Sequence, residues 1–205
     1  SDLPLEIFQV NYNSLAVTYK IIYSLTVEIC LIGIIIVICK EQFVKAFHDL
    51  KANHRQYFKD NLKYYLMGIA GMFMANALVQ FLGGGISENE TAVRSQLGSY
   101  PVYTYISAVV LAPILEESTF RLGFRNIFKN KAVFVIVSGF VFGFLHLFGN
   151  IGDPLFALYL IAYSSCGVAF AYMMAKTNNV FVSIGFHLMH NGLFMSLQIL
   201  VALLV

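Results

Sequence analysis

Apolar runs of about 20 residues recur along this chain, and a hydrocarbon bilayer is the solvent for runs of that length. They extend from about Ile21 to Cys39, Tyr64 to Gly83, Val102 through Glu116 and Glu117, Ala132 to Phe148, Leu155 to Ala175, and Val180 to the C-terminus. Inside lipid every backbone N–H and C=O must find a partner within the protein, so each run is read as a helix. The fold predicted is an all-α, polytopic membrane helix bundle with about six transmembrane helices, in a single integral membrane domain over 1–205. Composition agrees: 59% of residues are hydrophobic and 12% charged, against about a quarter charged in soluble domains. So few charges do not cover a water-facing surface of this size.

The charged residues are unevenly placed. Lys40, Lys45, Lys51, Arg55, Lys59 and Lys63 fall between the first two runs. Phe43, Val44, Phe47, Leu50, Tyr57 and Phe58 lie among them at roughly helical spacing. The stretch near 41–62 therefore reads as an amphipathic helix on the cytoplasmic-side membrane surface, with His48 and His54 as surface residues. Arg121, Arg125, Lys129 and Lys131 follow the third run, whereas the intervening loops are nearly free of Lys and Arg. The alternation predicts cytoplasmic basic loops and both termini outside. No basic cluster resembles a nucleic-acid footprint, so membrane lipid is the expected partner and nucleic acid is not. Three cysteines in apolar surroundings read as small buried hydrophobes rather than disulfides or zinc ligands. The first residues carry no basic-then-apolar leader pattern.

Ionisable residues inside spans cost at least about 2.5–3.5 kcal/mol each at the bilayer centre, so they point to function. Three groups stand out. Glu116, Glu117 and Arg121 lie on the third run, after Pro113, which predicts a kink facing a protein-lined cavity. Glu117 and Arg121, four apart, share a helix face and suit an ion pair. Glu116 projects about 100° away, with no partner at that spacing. Phe142 and His146 lie on the fourth run, where Gly139 and Gly143 allow close helix approach. His187, His190 and Asn191 lie on the sixth. Each histidine alone also suits a hydrogen-bonded packing role. Together, on separate helices, the groups fit a base that activates water, with donors for an oxyanion. Glu116, His146 and His187 are also a donor set for catalytic zinc, although the His-Glu-x-x-His pattern is absent.

The motifs Glu116-Glu117…Arg121, Phe142…His146 and His187…Asn191, in that order, resemble those of the CAAX-processing and bacteriocin-processing intramembrane proteases, the family of the Ras-converting enzyme. Ala112-Pro113, Phe120 and Ser183-Ile184-Gly185 agree as well, and the resemblance covers a family-like core of about 101–197. It implies hydrolysis of a peptide bond in a short membrane-associated peptide or protein tail. Glu116 and His146 would activate water, His187 and Asn191 would form the oxyanion hole, and Glu117, Arg121 and Phe142 would support them. No cofactor is expected, with zinc on Glu116, His146 and His187 as the alternative. Two departures are Leu122, where the family often has glycine, and the extra imidazole of His190. A peptide-binding immunity or regulator protein, or a small transporter, is the competing reading. Lack of tryptophan and abundance of Ile, Phe, Lys and Asn favour a bacterial cell membrane, with the active site nearer the cytoplasmic side. Residue counting sets one difficulty: it places His146 roughly 10 Å deeper than Glu116 and His187.

Overall fold

The computed structural model describes residues 15–204; the stretch read above for a leader, residues 1–14, lies outside it. The described residues form helices and no strand. We number them α1 (Val17–Ile38), α2 (Lys40–Phe81), α3 (Glu88–Ser99), α4 (101–127), α5 (Lys131–Leu145), α6 (Phe156–Thr177) and α7 (Val180–Leu204). α1, α2, α6 and α7 are long and apolar enough to cross a membrane, and the protein is an integral membrane protein. The other two expected spans differ from that description. α5 has only 15 residues, and α4 is an interrupted rod.

The amphipathic helix expected near 41–62 is present, though not as an element of its own. It is the first half of α2, a continuous helix of 42 residues, about 63 Å long and so twice the thickness of a hydrocarbon core. The charged half, 40–63, extends beyond the apolar half. Part of its apolar face meets protein: Phe43 and Ala46 are buried with Leu122, Phe134, Ala171 and Ile184, whereas Val44, Phe47 and Phe58 remain exposed. Asn179, fully buried, donates to the Ala46 carbonyl at 2.8 Å and to Asp49 Oδ2 at 2.7 Å. Asn178 ends α6 in the left-handed region at φ 52°, which asparagine tolerates. Asn179 caps α7 by accepting from Phe181 N at 3.0 Å. This two-asparagine turn thus reverses the chain and anchors α2.

α3 was not anticipated, though Ser87 and Glu90 have the spacing of a helix-start signature. Ser87 Oγ accepts from Glu90 N at 3.2 Å, and Asn150 accepts from Glu88 N at 3.0 Å.

α5 and α6 pack through the expected small residues. A methyl at Gly139 would stand 2.7 Å from Val168 Cα, and one at Gly143 2.8 Å from Ser164 N. Without side chains there, the backbones touch. The neighbouring stripe of α5, Ser138, Phe142 and His146, about 100° round the helix, is turned toward α4.

α4 carries two π-helical turns, Ser107–Leu111 and Ser118–Gly123, around the short α-helical piece Ala112–Glu117. The first is the form that the expected Pro113 kink takes. Ala112 N–H bonds Ser107 O, five residues back. In that register residue 113 would bond Ala108 O, but proline has no N–H. Asn191 Nδ2 fills the gap, donating to Ala108 O at 2.8 Å. Inserted turns of this kind re-aim the side chains that follow, and here those include Glu116 and Glu117.

Candidate active site

Glu117, Arg121 and His187 form a buried lock between α4 and α7. Glu117 Oε2 stands 3.0 Å from Arg121 Nε, and both side chains are 0% exposed. Glu117 Oε1 stands 3.0 Å from His187 Nδ1. Arg121 also reaches α5, where Nη1 donates to Ser138 Oγ at 2.9 Å. Ser138 Oγ in turn donates to Phe120 O at 2.6 Å. A guanidinium taken from water is tolerable only when paired in this way.

Phe142 sits beneath both imidazoles. The Arg121 guanidinium lies 4.9 Å from its ring centre, His146 4.5 Å and His187 5.7 Å. Its carbonyl lies 2.8 Å from His146 Nδ1. The Phe-x-x-x-His spacing has a physical reason: one turn of α5 lets the same residue orient the imidazole by its backbone and cushion it by its ring. His146 stacks on Tyr163 at 5.4 Å, and His187 on Phe170 at 4.8 Å.

These bonds assign the ring protons. A carbonyl only accepts, so His146 Nδ1 carries hydrogen. An ionised Glu117 only accepts, so His187 Nδ1 carries hydrogen too. In each neutral ring the lone pair is then on Nε2, and both Nε2 atoms face Glu116. His146 Nε2 lies 3.9 Å from Glu116 Oε1, and His187 Nε2 lies 3.8 Å from Oε2. Glu116 and His146 are 24% and 21% exposed, so this side of the cluster is open.

The structure therefore brings together Glu116, Glu117, Arg121, Phe142, His146 and His187. The depth mismatch for His146 disappears. The count assumed that the turns before α5 and before α7 lie at one level, whereas the contacts set Glu116, His146 and His187 level with each other. Asn191 stands one turn beyond His187 and holds Ala108 O in the wide turn of α4. His190 points elsewhere, among Tyr65, Phe170 and Phe194. Among the described residues, no three His, Cys, Asp or Glu side chains stand in a metal-holding arrangement.

Several neighbours were not anticipated. Ser138 was legible only as one turn before Phe142 on the same stripe. Tyr163 and Phe170 had no signal apart from being aromatic. Glu28 did have one, as a carboxylate inside the first run. It accepts from Ser107 Oγ at 2.8 Å, which ties α1 to the first π turn.

Comparison with known proteins gives a family match over the segment that holds these residues. Residues 98–193 match the model of the type II CAAX prenyl endopeptidase Rce1-like family. YdiL of Bacillus subtilis, described as a candidate membrane peptidase, is 30% identical over 147 residues, covering 65% of this chain and 56% of its own. Two UPF0177 proteins of Lactococcus lactis also match. YaiH is 34% identical over 80 residues, 39% of this chain and 32% of its own. YajF is 39% identical over 69 residues, 33% of this chain and 34% of its own. The chain thus spans about half the length of the first of these relatives and about a third of the other two. No solved structure matches. Residues 98–193, the segment that holds all three motifs, are thus similar to the Rce1-like family.

Proposed function

We propose that this protein is an intramembrane endopeptidase that hydrolyses a peptide bond in a short membrane-associated peptide or protein tail. The observation that carries the reading is the convergence of two oriented imidazoles on one partly open carboxylate, Glu116. A water 2.8 Å from both Glu116 Oε1 and His146 Nε2 fits their 3.9 Å separation, with an angle of roughly 90° at its oxygen. Glu116, acting with His146, takes its proton as it attacks the carbonyl carbon and passes that proton to the amine nitrogen as the C–N bond breaks. His187 faces the same space. To donate from Nε2 while Nδ1–H is held by Glu117, it must carry both protons, and in that form it stabilises the oxyanion. Asn191 has a second amide proton besides the one given to Ala108 O, and we assign that proton to the oxyanion as well. Glu117, Arg121 and Phe142 hold these groups in place.

The family match and the relative described as a candidate membrane peptidase support the protease reading. The basic residues of 40–63 and 121–131 support a site nearer the cytoplasmic side. The substrate class we infer is an amphiphilic peptide of the kind that bacteriocin processing or immunity handles. Two imidazoles with Nδ1 tied and Nε2 convergent on a carboxylate are also donors that a divalent cation takes. Zinc on Glu116, His146 and His187 is therefore the second reading; these groups, not in a metal-holding arrangement as they stand, would have to rearrange around the ion, which would supply a polarised water there.

The test is cleavage of a library of membrane-bound peptides by purified protein in lipid, read by mass spectrometry. The expected result is cleavage by wild type, persisting in excess chelator, and none by Glu116→Ala. Equal cleavage by both proteins would move the chemistry off Glu116. Loss in chelator that zinc restores would select the metal reading. Specific peptide capture without cleavage would select the binding-protein alternative.

A further inference from the structure

An open groove of about 620 Å³ lies between the charged half of α2 and the start of α7. Its apolar walls include Leu50 and Phe58 from α2 and Phe186 and Met189 from α7. Phe58 stacks on Phe186 at 5.4 Å yet remains 49% exposed. Gly185 forms a notch, since a methyl there would meet no atom within 4 Å. Gly185, Phe186 and Met189 share one stripe of α7 by their spacing. His187 projects from another face, toward Glu116 and Glu117. The groove is thus separate from the candidate active site.

Its charge is one-sided. Lys51, Arg55 and Lys59 follow one another at four-residue intervals along α2, all exposed, and Arg55 lines the groove. Among the described residues Arg55 forms no ion pair. The neighbouring Asp49 is occupied by Asn179 and Tyr57. The position is also particular. α7 starts at Val180 beside a polar turn, so residues 181–189 are the first ~13 Å of a spanning helix. An apolar groove there, edged by a basic helix, sits at headgroup level.

We propose that this groove binds an anionic glycerophospholipid. The phosphate sits on Arg55, whose fork of N–H donors matches phosphate oxygens, with Lys51 and Lys59 adding charge. One acyl chain runs along Phe58, Phe186 and Met189 and enters the Gly185 notch. A phosphate alone would leave the apolar walls uncovered, and a neutral lipid would leave the basic stripe unmatched.

The test is native mass spectrometry of the full chain in neutral detergent with phosphatidylglycerol or phosphatidylcholine added, on variants whose unfolding temperatures match wild type. The expected result is about tenfold greater retention of phosphatidylglycerol. Arg55→Ala and Gly185→Leu should each remove most of that preference, the second by filling the notch. Lys40→Ala, on the same helix but about 22 Å away, should leave it unchanged. Equal retention of the two lipids overturns the proposal, as does an Arg55→Ala or Gly185→Leu protein that behaves like wild type. A loss in Lys40→Ala equal to that in Arg55→Ala also overturns it, because it marks diffuse attraction to the basic surface.

Discussion

Glu116 and Glu117 are adjacent and chemically identical, yet the fold gives them opposite surroundings. Glu117 is fully enclosed, its two oxygens taken by Arg121 and His187. Glu116 stands in a partly open space with two imidazole nitrogens at 3.8–3.9 Å, beyond direct hydrogen bonding. The step of about 100° between successive helical residues separates them. A charge that is paired and sealed positions its neighbours; a charge whose neighbours are aimed at it but not bonded to it is left for a reactant. Arg121 links the two regions, holding Glu117 on one side and cushioning Phe142, and hence both imidazoles, on the other.

That contrast can be broken from either side. The largest effect should come from the open side. His146→Gln should lower peptide cleavage about 10²–10⁴-fold, the usual contribution of a positioned acid–base group, with no change in unfolding temperature. A loss of fold with the loss of rate would place His146 in the lock instead. On the sealed side the pattern reverses. Arg121→Leu strands the Glu117 carboxylate and should destabilise the protein by about 3–5 kcal/mol, measured by thermal unfolding in detergent. Replacing Glu117 by Gln in that background should restore part of the loss. If Arg121→Leu unfolds like wild type, the lock is not structural.

Asn191 sharpens the comparison from one turn beyond His187, where it holds Ala108 O. If its main task is to satisfy Ala108 O, Asn191→Ala should cost about 1–3 kcal/mol, the penalty for a buried unpaired acceptor. A fall in cleavage rate with stability intact would instead make the oxyanion its main task. The smallest effect lies outside the membrane. Hydrogen bonds from Asn179 and Tyr57 hold the Asp49 carboxyl below its ordinary pKa. The Tyr57 phenol is pushed up to about 12, first by burial and then by Asp49, so it remains a donor at neutral pH. A depressed folded-state pKa stabilises above the unfolded value, about 3.9 for Asp, and that stability is lost as pH falls through the folded value. Asp49→Asn should therefore be less stable than wild type near neutral pH, and the two should converge in strong acid. A gap independent of pH would assign the effect to shape rather than charge.

The sequence made the chemistry of the site more legible than its architecture. Buried charges are expensive in lipid, so Glu116, Glu117, Arg121, His146 and His187 stood out against apolar runs. The same logic applies to Glu28, although a lone carboxylate has no motif around it to mark its role. What spacing could not convey was the tertiary compensation. That Asn191 serves the carbonyl freed by Pro113 depends on a π register in one helix and a side chain from another, 83 residues apart. That Phe43 and Ala46 in the first half of α2 cover protein depends on the buried Asn179 receiving that half. Apolar periodicity shows that a face is covered, not by what. The depth error for His146 has a similar origin, since residue counting knows nothing of helix tilt or of turns at different levels.

The central claim is that Glu116 reacts while Glu117 supports, and one measurement addresses it most directly. Initial cleavage rates would be compared for wild type, Glu116→Gln and Glu117→Gln in the same lipid, alongside their unfolding temperatures. The account predicts that Glu116→Gln loses about 10²–10⁴-fold in rate and unfolds like wild type, while Glu117→Gln unfolds at a lower temperature. A Glu116→Gln protein that cleaves at the wild-type rate would contradict it.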